Sequence, residues 1–246
     1  MAEFLSKPFN LALIGLGLLV AAMTAFVVFQ PVQVIPRLAY GPEFELEDQT
    51  GKPVSDRTLE GGIVLYGFGY TSDPTVTIEE TLADLEAFQA AVAAEDFQTE
   101  VSLALILFDD QRDTPEQRRA FAEKHGLDLS NWLLLGGDAR ALKDTIGLGF
   151  GVYYEAVPLA DLLDNQADRL SEQPAFPPEP GSYGYLQAQR YVLVDERNFI
   201  RAEYKRVPLD LELAMRDIEY IIREKNSTGA ARALNEAAHL FLCYPQ

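Results

Sequence analysis

With one cysteine and two histidines in 246 residues, the chain lacks most of the side chains that carry redox and transition-metal chemistry. A lone thiol, Cys243, forms no intrachain disulfide, redox dithiol or cysteine metal cluster. In an oxidising compartment such a thiol is ordinarily buried and inert, the alternatives being an intermolecular bond or a lipid attachment. His125 closes a helical pattern and is expected to interact with its last carbonyls or with solvent; His239 is expected to pack or lie on the surface. Also absent are a glycine-rich phosphate loop, a G-x-S-x-G elbow, zinc spacings and a haem-attachment motif. "GLGFG", 147–151, follows a helical pattern rather than a strand, and the sequon at Asn226 to Thr228 carries no weight without a eukaryotic secretory context. No catalytic, cofactor-binding or metal-binding residue is assigned.

Basic residues are scarce too: 20 Lys and Arg stand against 38 Asp and Glu, a formal net charge of −18. A polyanion is repelled by such a surface, which excludes nucleic acid as a partner. An acidic solvated face explains the balance, and a docking face for a basic protein such as a c-type cytochrome is the alternative.

Between Lys7 and Arg37 there is no charge at all. Residues 9–29 are long enough to cross a hydrocarbon core of about 30 Å as a helix, longer than a cleavable signal's apolar segment. A single span follows, with residues 1–8 cytoplasmic because Lys7 precedes it and acidic residues follow the lone Arg37. Residues 30–42 read as a linker, placing the acidic domain outside the inner membrane. The hydrophobic content of 48%, with 14 Phe and 11 Tyr, suffices for one core.

Beyond the linker, Asp48 to Lys52 turns an edge hairpin. "GGIVLYGFG" reads as a central strand covered on both faces; a helix follows with Leu82, Leu85, Phe88 and Val92 as its buried stripe. "TEVSLALILFDD" is a second buried strand. A helix from Thr114 to Gly126 has Pro115 in its first turn. "NWLLLGG" is a strand, "DARALKDTIGLGFG" a short helix, Asp195 to Asn198 the turn of a hairpin, and "LDLELAMRDIEYIIREK" a closing helix. This order implies an α/β sandwich around a mixed sheet. Two stretches stand outside the pattern: the proline-rich 158–187, too long for an ordinary connection, and the helical tail 227–246, whose apolar end is expected to dock on something.

"FELEDQTGKPVS", "LYGFGYTSDP", "FDDQRDTPE", "FGVYYEAVP" and "YVLVDERNFIRA" stand in the order and spacing of the Sco/SenC family. That family comprises membrane-anchored, thioredoxin-fold proteins that deliver copper to cytochrome oxidase. The resemblance covers roughly 44–225 and implies a thioredoxin-like domain over 43–226. It also implies where copper ligands would stand: a cysteine at each of the positions occupied here by Asp73 and Thr77, and a histidine within one or two positions of Gln187. Pro74 remains from the motif, whereas its second proline is Ile78. Hard or neutral oxygen donors are poor ligands for copper(I), and thiol exchange needs a thiolate. Thr77 with Glu80 instead matches a capping box, and Glu79 and Glu80 suit the positive helix end.

These readings describe a non-catalytic, Sco-like subunit, structural or assembly-related, of a bacterial electron-transport complex, with the quinol-oxidising alternative complex III as one host. Its partners would be other subunits and membrane lipid. The alternatives are a copper chaperone or thiol-redox assembly factor for cytochrome oxidase, and an acidic docking module for a c-type cytochrome.

Overall fold

The computed structural model describes residues 8–29, 34–170 and 178–241. Helix α1, Pro8–Phe29, has 22 residues and no charged side chain. Part of its side chains lies outside the described set, and over the described residues no helix is both long and apolar enough to cross a membrane. The span expected from the sequence is therefore not shown by the structure.

The apolar run after Gly62 becomes β4, Ile63–Gly69, with all seven residues buried. It pairs in parallel with β5, Val101–Leu107, which pairs in parallel with β6, Trp132–Leu135. Parallel neighbours need crossovers, and these are the helices α3, Thr77–Ala94, and α4, Pro115–His125. On the other side of β4 the sheet turns antiparallel through β9, Tyr191–Val194, and β10, Phe199–Tyr204, to the edge strand β1, Ala39–Tyr40. The order is β1-β10-β9-β4-β5-β6. The hairpin β2, Glu45–Glu47, and β3, Pro53–Ser55, forms a separate ladder. Its turn is held by Asp48, whose carboxylate accepts from the Thr50 and Lys52 amides.

Alternation along the strands sends side chains to two faces. Ile63, Leu65, Leu103 and Leu105 meet the stripe Leu82, Leu85, Phe88 and Val92 of α3, together with the closing helix α7, Leu211–Lys225. Val64, Tyr66, Phe68, Ala104 and Ile106 meet Phe44, Leu46 and Val54 around the hairpin. They also meet Leu142 at the end of a short helix, Ala139–Leu142, and Ile146 in the wider π-helical turn that continues it, Lys143–Gly149. Thr114 caps α4 through the Gln117 amide, and the helix ends on Gly126 at a left-handed φ of 67°, as the sequence signals require.

Both stretches read as lying outside the strand–helix pattern belong to the packing of the domain. Residues 154–187 contribute β7, Tyr154–Pro158, antiparallel to β8, Tyr183–Gln187, with a helix, Leu159–Asn165, and a 3-10 turn, Ala167–Arg169, between them. The prolines obscured this because the anchors are isolated apolar residues, Leu162 and Tyr185, rather than a periodic run. The tail helix α8, Gly229–Phe241, docks on its own domain: Glu236 meets Arg37 and Arg197, and the His239 Nε2 lies 2.8 Å from Glu224. Cys243 falls outside the described residues.

Candidate functional site

The loop leaving β4 at Gly69 carries Tyr70 to Val76 over the end of the sheet, and β8 runs alongside it. Gly69 is required there, since a Cβ would stand 2.7 Å from the Ile78 Cδ1 of α3. The close approach lets α3 start directly over the strand end and brings Asp73, Thr75 and Thr77 into one cradle. Asp73 Oδ1 accepts from the Thr75 amide at 2.9 Å, the Thr75 hydroxyl at 2.8 Å and the Tyr70 hydroxyl at 3.2 Å. Its Oδ2 accepts from the Gln187 Nε2 at 3.1 Å. The Thr75 and Thr77 hydroxyls lie 2.9 Å apart. The positions where family resemblance places two cysteines and a histidine thus converge in space, although Gln187 is 114 residues from Asp73.

What they form is a closed hydrogen-bond network. Both oxygens of the Asp73 carboxylate are engaged, and the amide that faces it donates rather than coordinates. Among the described residues no group of three His, Cys, Asp or Glu is arranged to hold a metal ion.

The capping box expected at Thr77 and Glu80 is not formed. Thr77 is the first helical residue, and Val76 precedes it with no side-chain cap. The Thr75 hydroxyl accepts from the Thr77 amide at 3.2 Å. Glu80 reaches away from the helix end to Arg169 Nη2 at 2.7 Å and Gln189 Nε2 at 3.2 Å. The physical reason is competition: Arg169, delivered by the 154–187 segment, offers a charge-assisted partner that a backbone amide does not match. That segment also closes over the loop through its backbone, with the Val76 amide donating to the Arg169 carbonyl at 2.7 Å and a bridge between Thr75 and Leu170.

Burial pushes the Asp73 carboxyl up to about 6, against the lowering effect of its Thr75 and Tyr70 donors. Asp113 is pushed up to about 6 for the same reason, although Thr71 donates to it through both amide and hydroxyl. The Tyr70 hydroxyl is raised by its burial and by the Asp73 charge. These groups form a buried polar floor. Beside it Phe108 stacks on Tyr154 with ring centroids 4.6 Å apart, Tyr70 contacts Tyr185 at 5.1 Å, and Arg112 covers the Tyr183 ring at 4.0 Å. A groove of about 580 Å³ opens next to these rings, bordered by Lys143, Leu148, Tyr153, Tyr154 and Tyr185.

The family resemblance located Asp73, Thr77 and Gln187; Thr75 stands in the same loop with no role read from the sequence, and Tyr70, Arg169 and Gln189 were missed. One local signal was available for Thr75: an Asp followed two residues later by Thr favours an Asx turn. The others reach the cradle only through tertiary packing. His125 stands apart from the site, its ring 4.5 Å from Phe121.

The SCO1/SenC family model matches residues 33–170. A Stutzerimonas stutzeri protein named for copper binding is 33% identical over 90 residues, which span 37% of this chain and 43% of that protein. Among solved structures, Bradyrhizobium japonicum ScoI with copper bound is 25% identical at a TM-score of 0.56, over 74% of this chain and 99% of ScoI. Copper-bound yeast Sco1 has the same fold at 17% identity, with a TM-score of 0.57 over 84% and 99% of the respective chains. The match over 33–170, the thioredoxin-like sheet and the convergence of Asp73, Thr77 and Gln187 lead to one conclusion: the chain belongs to the SCO1/SenC family.

Proposed function

We propose that this protein is a Sco-type factor for the assembly of cytochrome oxidase, anchored by α1, which acts by docking and neither carries copper nor exchanges thiols with its own cradle. The observation that carries this reading is the Asp73–Gln187 hydrogen bond at 3.1 Å, which occupies the family's ligand positions with a satisfied carboxylate and amide. Copper(I) favours thiolate and imidazole over these groups. Retention of the family's fold together with loss of its soft ligands supports a role for the surface, because function resides in sites rather than in the fold. The likeness to copper-named relatives favours the assembly of cytochrome oxidase over a subunit role in alternative complex III. The 22-residue uncharged helix supports a single inner-membrane span with the domain outside the cytoplasm.

A second reading, copper delivery by this chain, is favoured by the copper-bound relatives. The full chain in mild detergent, titrated with copper(I) against a chromogenic chelator, separates the two. Docking without transfer predicts that the native protein leaves the chelator's copper in place, and that the variant Asp73→Cys, Thr77→Cys, Gln187→His withdraws it. Withdrawal by the native protein would establish it as a carrier. Affinity purification from native membranes then identifies the complex it serves, and sensitivity of that association to salt reports whether the acidic face makes the contact.

A further inference from the structure

We propose that the end of the sheet carrying the cradle rests on the membrane surface, with Lys205 and Arg206 against phospholipid phosphates. This rests on α1 being a membrane anchor, as argued above.

The direction of the chain beside β10 carries the inference. β1 pairs antiparallel with β10, Ala39 opposite Ile200 and Tyr40 opposite Phe199. Traced backwards from β1, the chain therefore runs toward the Tyr204 end of β10. The Leu38 amide donates to the Ile200 carbonyl at 2.8 Å, and Arg201 Nε donates to the Ile35 carbonyl at 3.1 Å. Val34, Leu38, Tyr204, Lys205, Leu213 and Arg216 border one cavity of about 550 Å³. Tyr204 in turn lies opposite Tyr191, and Val192 opposite Tyr66, so this is the end at which β4 delivers Gly69 to the cradle.

Val34 is also the described residue nearest in sequence to the end of α1 at Phe29. Five peptide steps separate them and span at most about 18 Å. The segment from Val34 is no loose tether, because Arg37 is held by Glu224 at 3.0 Å and Glu236 at 3.1 Å. The bilayer must then lie close to the cradle end of the domain.

Charge agrees with this placement. Lys205 and Arg206 are exposed at the entry point. Lys205 is paired with Glu203, a pair open enough to water to hold its partner weakly and leave donors for phosphate, whereas Arg216 is bound through Nε and Nη2 to the buried Asp217 carboxylate. Anionic headgroups attract basic side chains within a Debye length.

The test uses the full chain with Cys243→Ser in nanodiscs of phosphatidylcholine and phosphatidylglycerol. A fluorophore is placed on Glu212→Cys, in the first turn of α7 at the cradle end, or on Glu60→Cys, at the opposite end. Lipids with a nitroxide headgroup should quench the Glu212 site several-fold more than the Glu60 site, and Lys205→Glu with Arg206→Glu should reduce that difference. Equal quenching, or stronger quenching at Glu60, would overturn the orientation. Alkaline carbonate extraction of native membranes tests the anchor separately: release would remove both readings, whereas retention with reversed quenching would remove the orientation alone.

Discussion

Asp73 shows how a single position changes chemistry while keeping its place. Its carboxylate sits where the family resemblance puts a thiolate, and four donors from Tyr70, Thr75 and Gln187 enclose it. Replacement by asparagine keeps an acceptor for Tyr70 and Thr75, and the Gln187 amide can turn to receive the new donor. Asp73→Asn is therefore expected to fold normally and to be no less stable than the parent near neutral pH, as measured by urea unfolding. Gly69 is less tolerant. A methyl group there meets Ile78, so Gly69→Ala is expected to cost about 1–3 kcal/mol as overpacking, and an unchanged urea midpoint would show that α3 can shift without loss.

Two segments acquire their roles by what they touch. The 154–187 excursion supplies Arg169 and Gln187 to the cradle, with Gln189 just beyond it, and the Tyr183 hydroxyl to Asp109 at 3.0 Å. It lay outside the strand–helix pattern because its residues satisfy neither period, and a ladder of two short strands needs only backbone pairing. The tail helix α8 is likewise held by a charge cluster centred on Glu224. That carboxylate receives Arg201 at 2.6 Å, His239 at 2.8 Å, Arg37 at 3.0 Å and Arg197 at 3.2 Å. Removing one member of a buried pair strands the other charge. Glu224→Ala should thus destabilise by about 3 kcal/mol, toward the low end because Asp195 still pairs with Arg201. It should also expose α8 to limited proteolysis; an unaltered digestion pattern would mean that α8 is held by other contacts.

Across the whole domain, two sets of acids titrate in opposite directions. Asp73 and Asp113, raised to about 6 by burial, bind protons more tightly folded than unfolded. Stability linked to them therefore falls as the pH rises from about 4 to about 6. Burial would raise Glu224, but hydrogen bonds from His239 and Arg201 and the charge of Arg201 outweigh it and hold it at about 2. Glu236 is held at about 2 by Arg37 and Arg197. Their contribution is present above about pH 4.5 and is lost as the pH falls toward 2. Unfolding free energy should accordingly be higher near pH 5 than near pH 7, with Asp73→Asn flattening that slope. A slope unchanged in the variant would remove Asp73 from the account.

By itself the sequence determined the sheet and its helices. Continuous apolar runs at β4 and β5, the stripe from Leu82 to Val92, Thr114 with Pro115 and Gly126 around α4, and Asp48 at its turn all act through neighbours within one or two helical turns. It also excluded an intrachain disulfide and a redox dithiol, since a single cysteine suffices for that conclusion wherever it lies. Tertiary structure decided that Asp73 and Gln187 meet, that Glu80 pairs with Arg169 instead of capping its helix, and that Glu224 gathers Arg37, Arg197, Arg201 and His239. These contacts join residues separated by up to 187 positions. Their energies depend on burial and on competing partners, neither of which a local pattern encodes.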